Sequence, residues 1–176
     1  MEHIRLGRTG LPVSRLCLGT MTFGLQCDEA TSFAILDAAA EVGITFIDTA
    51  DVYPLGGTPE IAGRTEEIVG NWLRGRREHF ILATKCHGKM GPAPWQQGTS
   101  RKHVLSAIDA SLKRLGTDYV DLYQIHQYDA ATPIIGASKP DQLKASIAAT
   151  SVKLDAAVKA KLDELTHEFR MGDAAR

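Results

Sequence analysis

The chain alternates short apolar runs with longer amphipathic segments, and glycine or proline residues separate many of them. Compact apolar runs bounded by turn residues are typical of buried strands, whereas apolar residues at every third or fourth position are typical of helices. The predicted strands are Leu16–Gly19, Thr45–Asp48, Phe80–Lys85 and Tyr119–His126. The predicted helices are Glu29–Val42, Thr65–Arg74, Arg101–Leu115 and Leu154–Phe169. Strands that alternate with helices in this way indicate an α/β fold with a parallel sheet.

Local signals support these boundaries. Asp28 and Ser100 stand where a helix N-cap is expected, and Gly43 stands where the first helix should stop. Before the first strand, residues 4–15 carry turn signals at Gly7 and Gly10 between short apolar stretches, which predicts a hairpin. The third helix should bury an apolar stripe formed by Leu105, Ile108, Leu112 and Leu115.

The alternation breaks after the fourth strand. Residues 133–137 predict another buried strand, yet only residues 127–132 separate the two. A parallel crossover needs at least about 10–12 residues. We therefore expect one domain over residues 1–176, with an internal deletion or an unobserved segment near residues 131–135. A chain break there would separate successive Cα atoms by more than about 3.8 Å, and Ile134–Ala137 would run parallel to Leu16–Gly19.

Composition narrows the classes of function. The chain has 176 residues, 44% of them hydrophobic, which suits one globular domain. Its net charge is −1 and it has no long basic run, so nucleic acid and anionic membranes are not expected as partners. No apolar run is long enough to span a bilayer, and the N-terminus does not resemble a secretion signal, so we expect a cytoplasmic protein. Cys17, Cys27 and Cys86 form no CxxC pair and should be reduced, and no metal site is expected.

Four residues with proton-transfer chemistry follow successive predicted strands. Asp48, Lys85 and His126 end the second, third and fourth strands, and Tyr53 lies just beyond the second. The carboxyl ends of parallel strands meet at one edge of a sheet, where ligands bind in such folds. A tyrosine phenol gives up its proton poorly at neutral pH, whereas a lysine ammonium beside it favours the tyrosinate form. Asp48 would hold that ammonium charged and oriented.

Each of these residues also has a structural explanation. Asp48 can cap a turn, Lys85 can pair with any surface acid, Tyr53 can anchor a loop, and His126 can be a hydrogen-bonded core histidine. Most polar residues in proteins are structural or solvated. The convergence of four such side chains on one sheet edge favours the chemical interpretation.

These positions resemble the aldo-keto reductase family. The resemblance rests on residues 48–53 (DTADVY), on the strand-end Lys85, and on His126 after residues 121–125 (DLYQI). It extends from residues 4–7 to residues 138–140, and residues 90–92 and 100–103 are similar to bacterial members with a long loop after the third strand. The family implies a TIM (β/α)₈ barrel, of which this chain would supply strands one to four and eight together with the C-terminal helix.

The resemblance implies a reaction and a role for each catalytic residue. The family reduces aldehyde or ketone carbonyls with NADPH. Tyr53 would protonate the carbonyl oxygen as hydride arrives from the nicotinamide, and Lys85 paired with Asp48 would assist that proton transfer. His126 would donate a hydrogen bond that orients the substrate.

The resemblance also implies a cofactor site. Gly19, Thr20, Met21 and Asp48 match the loops that pass the nicotinamide-ribose end. The family's last loop, which grips the adenosine phosphate, is matched by Gly136, Ser138, Lys139 and Gln142. A helix N-terminus preceded by serine and lysine suits an anion. Lys139 near a 2′-phosphate would favour NADPH over NADH, although a solvated lysine at a helix start is an equal alternative.

The chain departs from the family pattern in two places. Ser146 stands where members usually carry asparagine, and no Gly-x-Ser-Asn segment follows a fifth strand. Strands five to seven, which bind and stack on the nicotinamide, are therefore missing from the pattern. The alternative to an enzyme is a non-catalytic binding or regulatory protein, or an inactive barrel fragment. The particular carbonyl substrate is not specified by the sequence, and a homo-oligomer is one possible assembly.

Overall fold

The computed structural model describes residues 1–127 and 155–166. The first range contains β1 (His3–Arg5), β2 (Pro12–Ser14), β3 (Cys17–Gly19), α1 (Glu29–Glu41), β4 (Phe46–Asp48), α2 (Arg64–Leu73), β5 (Ile81–Cys86), α3 (Arg101–Leu115) and β6 (Leu122–Ile125). Two short 3-10 turns, Pro59–Ile61 and Arg77–His79, precede α2 and β5. The second range contains helix α4 (Ala156–Thr166). The chain divides into two compact units, Met1–Ala130 and Ala131–Arg176.

The first unit is built on a parallel sheet of four strands in the order β3-β4-β5-β6. Strands β1 and β2 form a separate antiparallel hairpin, as the sequence predicts. The Ser14 hydroxyl of that hairpin accepts hydrogen bonds from the backbone N–H groups of Thr45 and Phe46, each at 3.1 Å. The hairpin is therefore attached where β4 begins, at the end of the sheet opposite the carboxyl ends of the strands.

The predicted α/β fold with a parallel sheet is confirmed, but within residues 1–127 the sheet does not close into a barrel. Strands β3 to β6 correspond to the four strands predicted from the sequence. β6 is shorter than predicted, because its pairing with β5 covers only Leu122–Ile125. Tyr119 is instead exposed, with the Arg77 guanidinium 4.0 Å from its ring centroid.

The hydrophobic core lies between the helices and one face of this sheet. Ile47 and Leu82 of the two central strands are buried there, at 1% and 0% exposure. They belong to a buried cluster with apolar residues of the three helices, among them Leu36, Ile68, Trp72, Leu73 and Leu115. Helices α1 and α3 are capped as predicted, because the Asp28 and Ser100 side chains accept hydrogen bonds from the Thr31 and His103 N–H groups.

The predicted apolar stripe of α3 is wrong at its first residue. Leu105 is 45% exposed, and the buried positions are His103, Ala107, Ser111 and Leu115. The inner side of α3 is formed by small and polar residues together with Leu115, and Arg114 of this helix binds the buried carboxylate of Glu66 there.

Several predictions lie outside the described residues. They are the strand over residues 133–137, the chain break near residues 131–135, and the pairing of Ile134–Ala137 with the first strand. The predicted C-terminal helix is present over Ala156–Thr166, and its residues Ala157 and Val158 are exposed. In residues 1–127 and 155–166, the structure has no helix with the length and hydropathy needed to cross a membrane.

Candidate active site

The candidate site lies at the carboxyl ends of three adjacent strands. Asp48 is the last residue of β4, and in the sheet it is in register with Gly19 of β3 and Ala83 of β5. Lys85 of β5 is in register with Gln124 of β6. Registered residues of neighbouring parallel strands point to the same face, and so do residues two apart on one strand. Gly19, Asp48, Ala83, Lys85 and Gln124 therefore share one face of the sheet. This is the face opposite the hydrophobic core.

The closest contact in the site joins Asp48 to Lys85. The Lys85 Nζ donates to Asp48 Oδ2 at 2.6 Å and to the Thr49 carbonyl at 2.9 Å. The second oxygen of Asp48 accepts from the Gln124 amide at 3.0 Å. Both side chains are shielded, with 13% of Lys85 and 25% of Asp48 exposed. The pair therefore fixes the ammonium at the edge of the sheet.

Tyr53 lies over this ammonium. Its hydroxyl is 3.4 Å from Lys85 Nζ, and the ammonium lies 4.9 Å from the centre of its ring. The Tyr53 carbonyl accepts from the N–H groups of Gly63 and Thr65, at 2.9 and 3.4 Å, so the start of α2 holds the loop. Gly63 is required at this point, because its φ is +91° and a Cβ would come within 2.5 Å of the Arg114 side chain.

His126 follows β6 and completes the cluster. Its N–H donates to the Cys86 carbonyl at 2.9 Å, and its ring meets the Tyr53 ring edge to face with centroids 5.7 Å apart. Burial lowers the pKa of His126, and the positive charge of Lys85 lowers it further. His126 is therefore neutral near pH 7, and its imidazole offers one N–H donor and one acceptor.

The three residues of the loop after β3, Gly19, Thr20 and Met21, differ in exposure and in their contacts. Gly19 is exposed, and a Cβ on it would have no atom within 4 Å, so the space beside Asp48 is open. Met21 is 45% exposed. Thr20 is fully buried, and both its N–H and its hydroxyl donate to the Asp48 carbonyl, at 3.1 and 2.9 Å. Thr20 thus positions Asp48, whereas Gly19 and Met21 border open space.

The structure brings Asp48, Tyr53, Lys85 and His126 together at one sheet edge. The other predicted cofactor residues, Gly136, Ser138, Lys139 and Gln142, lie outside the described residues.

Several residues that support or border the site were not predicted from the sequence. Gln124 binds Asp48, and the only signal for it was its position two residues before His126 on a predicted strand. Behind the sheet, Glu66 is fully buried, and it accepts from the Thr84 hydroxyl at 2.6 Å and from Arg114 Nε at 2.7 Å. Glu66 lies three residues before Val69 and seven before Leu73, which places it on the apolar face of the predicted helix. A glutamate at such a position indicates that a cation is buried beside it.

Asp51 was also missed. Its side chain is fully buried, and neither carboxylate oxygen has a hydrogen-bond partner. It lines a cavity of about 160 Å³ together with Met90, Gln96, Ser106 and Arg114. Burial, followed by the charge of Glu66, raises the pKa of Asp51 to about 7.

This arrangement has the components of a site that stabilises an oxyanion. A phenol, an ammonium and a neutral imidazole surround one edge, and the ammonium is held by two fixed acceptors. Such donors help a reaction in which negative charge develops on an oxygen, because they are already oriented when the charge appears.

Comparison with known proteins identifies relatives of the chain. The sequence profile of the Aldo/keto reductase family matches residues 15–135. The chain is 47% identical over 141 residues to the uncharacterized oxidoreductase YrpG of Bacillus subtilis, covering 76% of this chain and 42% of that protein. It is 46% identical over 143 residues to Protein tas of Escherichia coli, covering 77% and 41%. It is 42% identical over 135 residues to a probable voltage-gated potassium channel subunit beta of Arabidopsis thaliana, covering 76% and 40%.

The chain thus spans about two-fifths of the length of the curated relatives that it matches. The matched profile includes all four strands of the sheet and all four residues of the candidate site. The chain belongs to the aldo/keto reductase family.

Proposed function

We propose that this chain carries the catalytic residues of an oxidoreductase that reduces aldehyde or ketone carbonyls to alcohols with NADPH. One observation carries the proposal: a single ammonium, Lys85 Nζ, lies 2.6 Å from the Asp48 carboxylate and 3.4 Å from the Tyr53 hydroxyl. The similarity to YrpG, which is named as an oxidoreductase, supports the same class of reaction. The working form would be the (β/α)₈ barrel of the family.

Each residue has a role in the proposed reaction. Tyr53 donates its proton to the carbonyl oxygen, because its hydroxyl is the acidic group at the open edge. Lys85 stabilises the tyrosinate that remains, and Asp48 keeps the ammonium in place. His126 is neutral and donates a hydrogen bond to the same substrate oxygen, which fixes the orientation of the carbonyl.

The described residues fit one end of a nicotinamide cofactor. Gly19 leaves free space beside Asp48, and the half-exposed Met21 offers an apolar edge for a flat ring. When bound, the cofactor supplies the hydride, and the protein positions it. Gly136, Ser138, Lys139 and Gln142 remain the proposed ligands of its adenosine phosphate. A small carbonyl compound is the proposed substrate, in a cytoplasmic setting without nucleic acid or membrane partners.

Tyr53→Phe tests the proposed acid directly. The purified chain is incubated with NADPH and a panel of aldehydes and ketones, and NADPH oxidation is followed by absorbance. Loss of a general acid costs about 10²–10⁴-fold in kcat, whereas NADPH affinity, measured by fluorescence, should change little.

Tyr119→Phe is the matched control, because Tyr119 is 44% exposed and lies near the opposite end of the sheet. It should leave kcat unchanged. If Tyr53→Phe retained most of the wild-type kcat, Tyr53 would not be the acid.

The second candidate is a non-catalytic binding or regulatory protein. The observation that favours it is the 42% identity to a protein named as a probable channel subunit beta. The two candidates differ in one measurement. A non-catalytic protein would bind NADPH without oxidising it in the presence of any carbonyl compound, and Tyr53→Phe would change nothing.

A further inference from the structure

Tyr53 and Lys85 contact each other, but their backbones are held by different elements. Lys85 lies within β5, whereas Tyr53 lies in the loop between β4 and α2. The Tyr53 carbonyl accepts hydrogen bonds from the N–H groups of Gly63 and Thr65, at the start of α2. The Tyr53 hydroxyl is 3.4 Å from Lys85 Nζ, which is near the upper limit for a hydrogen bond. This contact therefore depends on where α2 lies relative to β5.

The first half of the loop is attached directly to the sheet. Asp48, at its beginning, pairs with β5, and the Asp51 N–H donates to the Lys85 carbonyl at 3.1 Å. Tyr53, two residues after Asp51, is held by α2 instead. A displacement of α2 would therefore move Tyr53 while Asp48 and Lys85 stayed in place.

A buried carboxylate fixes α2 against β5. Glu66 follows Thr65 in α2 and has no exposed surface. Its Oε1 accepts from the Thr84 hydroxyl at 2.6 Å, and Thr84 directly precedes Lys85 in β5. Successive side chains of a strand point to opposite faces, so Thr84 points to the helices and Lys85 to the candidate site. One hydrogen bond thus links the neighbour of Lys85 to the neighbour of Thr65.

The second oxygen of the same carboxylate fixes α2 against α3. Glu66 Oε2 accepts from Arg114 Nε at 2.7 Å. The Arg114 side chain is packed against Gly63, where a Cβ would come within 2.5 Å of Arg114 Cδ. Gly63 provides one of the two N–H groups that bind the Tyr53 carbonyl, and Thr65 provides the other. Glu66 therefore supports both groups, one through Arg114 and the other as its neighbour in the chain.

A carboxylate can hold a helix in one position because its hydrogen bonds are strong and directional. Charge-assisted hydrogen bonds are shorter and about twice as strong as those between neutral groups. The two bonds of Glu66, at 2.6 and 2.7 Å, have the lengths of that class. Apolar contacts are non-directional, so they would allow α2 to slide more easily against the sheet.

We propose that Glu66 and Thr84 are positioning residues, which hold Tyr53 at the distance from Lys85 that proton transfer requires. They lie on the helix side of the sheet, so they act through Tyr53 and not on the substrate. The kinetic consequence rests on the function proposed above, whereas the predicted geometry can be measured without any reaction.

Thr84→Val tests the proposal because it removes the hydrogen bond to Glu66 with little change in shape. A misplacement of about 1 Å can lower a rate about 10²-fold, so kcat for NADPH-dependent carbonyl reduction should fall about 10–10²-fold. The affinity for NADPH should change little, and Thr84→Ser, which restores the hydroxyl, should keep most of the wild-type kcat. All rates are measured at a temperature at which circular dichroism shows each variant to be folded. Thr84→Ala replaces the valine variant if that variant does not fold.

Ser32→Ala is the matched control for the loss of a buried hydroxyl. Ser32 is fully buried in α1, and its hydroxyl donates to the Asp28 carbonyl at 2.7 Å. Both of these residues belong to the first turn of α1, so the folded variant should keep the wild-type kcat. An equal fall in kcat for Ser32→Ala and Thr84→Val would show that any lost buried hydrogen bond slows the reaction. That result would overturn the proposal.

NMR tests the geometry without the reaction. The protein is labelled with ¹³C in its tyrosine rings, and the Tyr53 signal is identified by its loss in Tyr53→Phe. Lys85→Met should shift this signal, because it removes an ammonium 3.4 Å from the hydroxyl. In the Thr84→Val background, the same substitution should shift the signal much less. A shift of equal size in both backgrounds would overturn the proposal.

The two measurements also separate this proposal from the proposed function. If the wild-type protein reduces none of the carbonyl compounds, the proposed function fails, and the NMR comparison by itself decides whether Thr84 positions Tyr53. If Thr84→Val reduces the effect of Lys85 on Tyr53 but keeps the wild-type kcat, the positioning holds and Tyr53 is not the acid.

Discussion

The two faces of the sheet hold two carboxylate–cation pairs of almost equal length and different character. Glu66 and Arg114 lie behind the sheet at 2.7 Å, and Asp48 and Lys85 lie at its open face at 2.6 Å. Glu66 has no exposed surface and Asp48 has 25%, so the first pair is enclosed and the second borders open space. Contact distance alone therefore does not separate a structural ion pair from a functional one.

The partners of each cation explain the difference. Arg114 donates hydrogen bonds to the Glu66 carboxylate and to the Ser111 hydroxyl, and both acceptors belong to helices. Lys85 likewise donates to a carboxylate, Asp48, and to a backbone carbonyl. Unlike Arg114, it also contacts a phenol, the hydroxyl of Tyr53. The first pair joins α2 to α3, while the second presents a positive charge to a group that can exchange a proton.

Removal of the enclosed carboxylate should have the largest effect. Glu66→Ala leaves the Arg114 guanidinium without its counter-ion, and breaking a buried pair costs about 3–5 kcal/mol of stability. Urea unfolding measures this loss. Glu67→Ala is the control on the same helix, because Glu67 is 47% exposed and its pair with Arg64 is worth about 0–1 kcal/mol. Similar losses from both variants would show that Glu66 is not a structural anchor.

Removal of the carboxylate at the open face should affect activity more than stability. Asp48→Asn keeps the shape of the side chain but no longer neutralises Lys85, so we expect kcat to fall about 10²-fold, equivalent to about 2.7 kcal/mol. The free energy of unfolding should fall less than in Glu66→Ala, because Asp48 is 25% exposed whereas Glu66 has no exposed surface. Steady-state kinetics and urea unfolding of one preparation check both values. Asp109→Asn, on an exposed position of α3, should alter neither.

Asp51 extends the comparison to a carboxylate without a hydrogen-bond partner. Its raised pKa, about 7 in the folded chain, means that the folded state binds a proton more tightly than the unfolded state. The stability due to neutral Asp51 is therefore complete below about pH 4 and is lost as the pH rises through about 7. Asp51→Asn should be about 1–2 kcal/mol more stable than wild type at pH 8, because the neutral amide avoids the cost of a buried, unpaired charge.

Urea unfolding at pH 5 and pH 8 checks this prediction. The advantage of Asp51→Asn should be larger at pH 8 than at pH 5. An equal difference at the two pH values would mean that the side chain does not titrate in this range.

The smallest expected effect concerns His126. Its lowered pKa means that the folded state disfavours the imidazolium form, so stability falls as the pH drops from the ordinary histidine pKa of 6.5 toward the lower pKa of the folded chain. An NMR titration should place the midpoint of His126 below its value in the urea-unfolded chain. Lys85→Met should move it upward, because the nearby positive charge is removed. An unmoved midpoint would separate His126 from the Lys85 cluster.

Local signals gave most of the fold of the first unit. Helix α3 has the predicted bounds, Arg101–Leu115, whereas α1 ends one residue earlier than predicted and α2 begins and ends one residue earlier. The periodicity of apolar residues and the caps at Asp28 and Ser100 act within a few positions of each other, so they can be recognised without the fold. The length of β6 could not be predicted in this way, because it depends on how far β5 extends beside it.

The four residues of the candidate site were predictable for a topological reason. Parallel strands bring their carboxyl ends to one edge, so residues that end successive strands are neighbours in any such sheet. The identity of their supporting partners was not predictable. Gln124 reaches Asp48 across 76 positions of sequence, and Arg114 reaches Glu66 across 48.

The amino-acid pattern alone thus specified the parallel α/β order, the helices, and the edge at which Asp48, Tyr53, Lys85 and His126 meet. Tertiary structure decided which carboxylate is enclosed, which borders open space, and which, like Asp51, is buried without a partner. The physical reason is that apolar periodicity reports whether a position is buried but not what lies opposite it. Which groups become hydrogen-bond partners is decided only when distant segments of the chain pack together.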